Sequence, residues 1–255
     1  MSATVLTGTS GALYYKPAGT LGTFGAADVS TANAEFTVET FLNFKVGDPV
    51  KFSVYNVTGA TPTGTLPAGI TAGTTYYVIA YTPATGVLKV SSTLGGTSVT
   101  LTTAGTAVGA NEFKVEYSDF SIVAQVRDWT FEFSRSEIDV TTIGQTPGQY
   151  APFKNYITGF ADGNGSANVY LTDEDAAFGN RMVEDVLQRQ QVGASFKLYI
   201  ERVTVGGTVN ETKSRSITVE AVLASASINI NPDDAVSVAI NFRPSGGVTF
   251  DLSQS

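Results

Sequence analysis

Four stretches in the second half of the chain alternate between mainly apolar and mainly polar positions. A period of two permits little other than half-buried β-strand. Trp129, Phe131 and Phe133 alternate with Thr130, Glu132 and Ser134. Phe196, Leu198 and Ile200 alternate with Lys197, Tyr199 and Glu201. Ile217, Val219 and Ala221 alternate with Thr218 and Glu220, and Val236, Val238, Ile240 and Phe242 with Ser237, Ala239, Asn241 and Arg243. Each strand therefore has a core side and a wet side.

One segment departs from this pattern. Within Thr172–Gln191, the residues Phe178, Met182, Val183, Val186 and Leu187 recur at helical spacing, which predicts one amphipathic helix over about 173–191. Thr172 and Asp175 fit a capping box, Asp173 and Glu174 suit the positive end of the helix dipole, Arg189 suits the other end, and Gly193 can stop the helix. The helix is expected to cover the apolar face of a sheet.

The first part of the chain reads differently. Residues 1–31 are small and polar, and Ala12–Lys16 forms a short strand ended by Pro17. Residues 32–115 give strands at Glu35–Val38, Pro49–Tyr55, Thr75–Tyr81, Val87–Val90 and Ser98–Leu101. Between them lie turns such as Pro83-Ala84-Thr85-Gly86 and Gly95-Gly96. The expected organisation is an N-terminal arm with a first strand (1–31), a small all-β domain (32–115) and a larger β-sandwich or barrel with one helix (116–255), mainly β overall.

Composition narrows function. The chain has no His and no Cys, which removes Ser-His-Asp and Cys-His chemistry, thiolate metal sites and disulfides. Net charge is −8. Residues 1–114 are balanced, whereas 115–255 carry ten basic against eighteen acidic residues, a poor basis for tight nucleic-acid binding. The first residues lack the basic region and apolar run of a signal peptide, and no stretch is long and apolar enough for a membrane span. Asp162-Gly163-Asn164-Gly165-Ser166 opens like a calcium loop. Ala167 stands where that loop needs Gly, so a polar β-turn is the better reading. Asp173-Glu174-Asp175 is helix N-terminal charge and Asp233-Asp234 a turn, rather than a glycosidase pair. No Walker motif occurs, and the Gly pairs at 95–96, 206–207 and 246–247 read as turns. Trp129 reads as core by its alternation with Phe131 and Phe133. No catalytic residue, cofactor or metal site is expected.

Three motifs in order carry a resemblance. Arg127-Asp128-Trp129-Thr130-Phe131-Glu132-Phe133 leads to Ser136-Glu137-Ile138-Asp139-Val140-Thr141-Thr142. Next comes Tyr156-Ile157-Thr158-Gly159-Phe160-Ala161-Asp162-Gly163-Asn164-Gly165-Ser166, ahead of the single helix. The close runs from Leu223–Ile228 through Phe242-Arg243-Pro244-Ser245-Gly246-Gly247-Val248. This order resembles the bacteriophage tail tube (major tail protein) family, with Leu13-Tyr14-Tyr15 as its first strand. Residues 32–115, with Thr65–Val78, resemble a β module that recurs in phage virion proteins.

The resemblance implies a structural virion protein rather than an enzyme. Its partner would be itself, in hexameric rings stacked into a tube, along with other tail proteins (tape measure, tail terminator, a sheath). Assembly would take place in the host cytoplasm, and DNA would pass through without being bound. The lumen candidates are Glu132, Lys197, Glu201, Glu220 and Arg243, although an outer solvent-facing wall fits the same residues. Ring-to-ring candidates are Ile143, Gln145, Pro147, Tyr150 and Phe153 in the loop 143–155, with Phe250 and Leu252 near the C-terminus. The module is expected to project from the tube exterior. The rival readings are a carbohydrate-binding or adhesion module and a hydrolase on a β scaffold.

Overall fold

The computed structural model describes residues 10–17, 21–118, 120–123, 126–141, 154–171, 178–187, 194–230 and 235–252. In chain order the strands are β1 (Ala12–Lys16), β2 (Gly22–Phe24), β3 (Val29–Ser30), β4 (Glu35–Thr37), β5 (Pro49–Asn56), β6 (Gly64–Thr65), β7 (Tyr76–Thr82), β8 (Val87–Ser91), β9 (Thr106–Ala107), β10 (Asn111–Tyr117), β11 (Ser121–Ile122), β12 (Val126–Asp139), β13 (Tyr156–Tyr170), β14 (Ser195–Glu201), β15 (Thr204–Val205), β16 (Thr208–Val209), β17 (Arg215–Asn229) and β18 (Ser237–Asp251). The described residues contain one α-helix, α1 (Phe178–Asp185). The fold is mainly β.

The first sheet has seven strands in the order β11-β1-β14-β17-β18-β13-β12, all antiparallel. Alternation sets its two faces. Leu13, Tyr15, Phe196, Leu198, Val219, Leu223, Val238, Ile240 and Phe242 form a buried face, and α1 closes it with Met182, helped by Val183 and Val186. Each fully buried side chain of this size stabilises the fold by about 1.5–3 kcal/mol. The opposite face is polar.

The second sheet also has seven strands, β2-β10-β5-β7-β8-β4-β3, around its own core of Phe24, Phe36, Phe52, Val78, Leu88, Phe113 and Val115. Glu39, two residues past β4, ties that end of the sheet to the outer strand β2: its carboxylate accepts from the Thr23 amide (2.7 Å) and from the Thr23 hydroxyl. A ribbon of β6 and β9 lies alongside. The whole module, residues 22–117, is threaded between β1 and β11, which are neighbours in the first sheet (Tyr15 opposite Ser121).

Several elements differ from the sequence reading. Asp162–Ser166 is not a turn but the middle of the 15-residue β13. Its glycines permit close approach: a Cβ on Gly165 would stand 2.2 Å from the Phe242 ring, and one on Gly163 would stand 2.9 Å from Pro244 Cγ. Gly246 and Gly247 likewise lie within β18, while Gly206 and Gly207, both at positive φ, do turn the chain between β15 and β16. Ser98–Leu101 forms no strand; Val99 makes one bond to Val90 and packs with Leu101 into the module core. Leu187 lies beyond the end of α1 and is 88% exposed. The expected caps at Thr172–Asp175, Arg189 and Gly193 lie outside the described residues.

Candidate assembly surfaces

The polar face of the first sheet gathers four of the five lumen candidates. Directly opposed residues in an antiparallel pair share a face. Lys197 opposes Thr218, and Glu220, two residues on in β17, opposes Ser195. Arg243 opposes Val222, and Glu132 opposes Asn164. All four point away from the buried face. Asp128, Asp162 and Lys16 share it, opposite Asn168, Ser134 and Ser195, so these residues place four carboxylates against three cations. The remaining surface is hydroxyl and amide: Thr130 meets Ser166 at 2.7 Å, and Asn241 donates to Ser225 at 3.0 Å. Lys197 is not free. It pairs with Glu211 at 2.7 Å and lies over the Tyr199 ring. Glu201 sits past a bulge and pairs with Arg215 at 3.1 Å. Glu132 and Arg243 are exposed, and Glu220 accepts from the Gly247 amide at 3.3 Å.

A hairpin projects from one edge of this sheet. β13 pairs with β18 only from Gly165 to Tyr170, and Pro244 follows two residues after Phe242. Proline has no N–H to donate, so it belongs where a ladder ends or bulges. A bulge does occur there, where β17 and β18 shift register between Val219 and Ala221. Beyond this point β12 and β13 continue as a two-stranded arm, Glu132–Asp139 against Tyr156–Asn164. Phe133, expected in the alternating core with Trp129 and Phe131, is therefore 66% exposed, whereas Trp129 and Phe131 pack against the core. A second irregularity, between Arg135 and Glu137, adds a residue to the β13 side and aims Phe160 outward at 90% exposure. Bulges of this kind re-aim side chains. Ile138, Tyr156 and Ile157, each at least half exposed, add to the apolar surface of the arm.

β12 is also the end strand of the sheet. Among the described residues its fourteen residues pair only with β13, leaving a row of backbone donors and acceptors on the outer side. The opposite edge is blunted by the two-residue β11 and the module behind it. Long open edges invite another strand.

Phe250 lies edge-on to Phe133 with ring centroids 5.5 Å apart, and both Phe250 and Leu252 are about half exposed. Ile143, Gln145, Pro147, Tyr150 and Phe153 lie outside the described residues.

Sequence reasoning missed a buried polar network between α1 and the module. Arg181 pairs with Asp48 at 3.2 Å and with Asp185 at 3.3 Å, and donates to the Asn43 carbonyl. Asp185 also accepts from the Tyr15 hydroxyl at 2.7 Å and from the Asn43 amide at 2.8 Å. Tyr117 presents its ring 6.0 Å from the Arg181 guanidinium carbon. Burial pushes the Tyr15 and Tyr117 hydroxyls well above the ordinary tyrosine range, with Asp185 and Asp48 respectively adding to the effect. Burial also raises the Asp48 carboxyl, although Arg181 opposes it. Burial alone would lower Arg181, but the surrounding Tyr117, Asp48 and Asp185 more than offset it. Lys45 and Glu184 form a further ion pair at the rim.

No family model matches the chain, and no curated protein matches it. Solved structures similar to it come from tail and virion assemblies. One, the virion of a native gene transfer agent particle, has a TM-score of 0.39 and 13% identity over 52% of this chain and 88% of that one. Another, the tail of an empty gene transfer agent particle refined with C6 symmetry, has a TM-score of 0.38 and 14% identity over 52% and 86%. The SPP1 tail tube has a TM-score of 0.34 and 15% identity over 53% and 71%. The described residues contain no group of three or more His, Cys, Asp or Glu able to hold a metal ion, and no helix long and apolar enough to cross a membrane.

Proposed function

We propose that this chain is a structural virion subunit that builds a phage-type tail tube by self-association. The observation that carries the reading is the open fourteen-residue edge of β12 together with its projecting arm, which exposes Phe133, Ile138, Tyr156, Ile157 and Phe160. A lone subunit leaves both the edge and the arm uncovered, and identical neighbours in a closed ring would cover them. The motif order of 116–255 agrees with this.

In a ring of this kind the polar face of the first sheet suits the lumen. DNA in transit would meet hydroxyls, amides and more carboxylates than cations, a lining that repels phosphate and does not hold it. Phe250 and Leu252 are candidates for contact with the next ring. The module is proposed to stand on the tube exterior, within reach of other tail proteins.

Negative-stain microscopy and sedimentation velocity of the purified chain test the reading. Rings or tubes about 100 Å wide are expected for hexamers of domains this size. A chain that stays monomeric at high concentration overturns it.

A further inference from the structure

The seam between α1 and the module carries an exposed apolar surface. Lys45 to Asp48 form a tight turn: the Asp48 amide donates to the Lys45 carbonyl at 3.1 Å, and the Lys45 amide to the Asp48 carboxylate at 2.6 Å. The turn that feeds Asp48 into the buried network therefore pushes Val46 outward, 64% exposed. Leu94 lies beside it, since a Cβ on Gly47 would stand 3.8 Å from Leu94 Cδ1, and it is 61% exposed. From the same turn Lys45 pairs with Glu184 of α1. Leu187, whose amide donates to the Glu184 carbonyl at 3.0 Å, follows at 88% exposure. These contacts join Val46, Leu94 and Leu187 into one patch across the seam, although three separate segments supply them. Large apolar side chains gathered in the open mark a contact surface.

The chain holds a matching surface on its far side. Asp185 of α1 accepts from Tyr15 of β1, so the seam flanks the β11–β1 edge of the first sheet, whereas the arm leaves from β12, the opposite edge. Five interstrand steps of about 4.8 Å, roughly 24 Å in all, separate β1 from β12. A copy therefore does not seat its own arm on its own seam. Phe133 keeps the parity of the core residue Phe131, and Phe250 opposes the core residue Ile217. Both thus project on the side of the sheet that α1 covers, in the layer where the seam lies. Bringing the β12 edge of one copy to the β11–β1 edge of the next sets the arm against the seam. Two unlike apolar surfaces at opposite edges are what a head-to-tail ring requires, whereas a two-fold dimer needs one surface that matches itself. Lys45 and Glu184 cancel, so the seat sets no net charge of its own against an acidic neighbour.

We propose that the seam of one copy seats the arm of the next, with Val46, Leu94 and Leu187 receiving Phe133 and Phe160. The contact rests on the ring reading above and adds to it the receiving surface, which makes the module part of the joint between copies.

The test uses the full chain, which has no cysteine. Thr93→Cys marks the seam and Thr158→Cys the arm, both at exposed positions that leave the apolar residues in place. The two variants are mixed at high protein concentration and treated with a short bismaleimide, with each variant alone as control. Mixed dimers are expected in about tenfold excess over like-with-like dimers. Adding Leu187→Asp to the Thr93→Cys copies should cut the mixed yield about tenfold, as a charge pressed into an apolar seat does, with the melting temperature unchanged; Leu94→Asp gives the same readout should Leu187→Asp disturb folding. Mixed yields that neither charge lowers, or like-with-like dimers as abundant as mixed ones, overturn the contact. Rings or tubes that form without mixed dimers overturn the contact and leave the tube reading standing. Mixed dimers from a chain that never builds rings support the contact and overturn the tube reading. A chain that neither crosslinks nor assembles overturns both.

Discussion

Arg181 and Asp48 lie 3.2 Å apart, each side chain only 7% exposed, and they join the helix of the first sheet to the start of β5 in the module. Their sequence separation of 133 residues makes them a tertiary bolt, not a local pair. Removing one partner strands a buried charge. Asp48→Ala or Arg181→Ala should cost roughly 3–5 kcal/mol, and a double-mutant cycle in urea should show coupling well above the ~0–1 kcal/mol of a surface pair such as Lys154–Asp139.

The same junction predicts alkaline sensitivity. Tyr15 and Tyr117 have folded-state hydroxyls raised above their unfolded value. Their contribution to stability is thus fully present below about pH 10, the unfolded value, and is lost as pH rises toward the folded one. Tyrosinate absorbance, followed against circular dichroism, should show these tyrosines ionising only as the chain unfolds. Their early titration in a folded chain would contradict the burial. Asp48 acts with the same sign at acid pH: its raised carboxyl favours the protonated form, so its contribution is largest below the unfolded carboxylate range and falls as pH rises through the folded value.

Gly165 should tolerate no side chain. Its Cβ would enter the Phe242 ring, so Gly165→Ala should destabilise by about 1–3 kcal/mol through overpacking. Gly247→Ala meets nothing within 4 Å and should stay within about 0.5 kcal/mol. Paired urea titrations check both.

Phe160 is solvent-facing at the bulge, so Phe160→Asp should leave stability within about 0.5 kcal/mol while weakening self-association measured by sedimentation equilibrium. Unchanged association would remove the arm from the assembly surface.

How much of this was legible in the sequence follows from where each signal lies. The alternation in β12, β14, β17 and β18 is local, and it marks the core-facing residues of these strands as far as Phe131 in β12. The helix was visible in the spacing of Met182, Val183 and Val186. Arg181 and Asp185 give no such sign, because a charged i, i+4 pair on a helix ordinarily marks its solvent face. Their partners Asp48, Asn43 and Tyr15 lie more than 130 positions away, beyond any window. Phe133 was misread for a similar reason. It has the same parity as Phe131, but its burial depends on β18, which ceases to pair with β13 near Pro244. Gly163 and Gly165 were read as turn residues because a turn is the commonest use of glycine, whereas here they make room for the side chains of a neighbouring strand.

The threading of the module between β1 and β11 bears on how such a chain could change over time. The chain leaves the first sheet and returns to it through paired neighbours, Tyr15 and Ser121, about one strand spacing of 4.8 Å apart. A tight turn could span that gap, so the first sheet could exist with or without its passenger. The tenant would nonetheless leave a mark, since a lineage that lost the module would strand Arg181 and Asp185 on the helix without Asp48 and Asn43. Apolar or small residues at those two helix positions should accompany its loss, and the charged pair should accompany its gain.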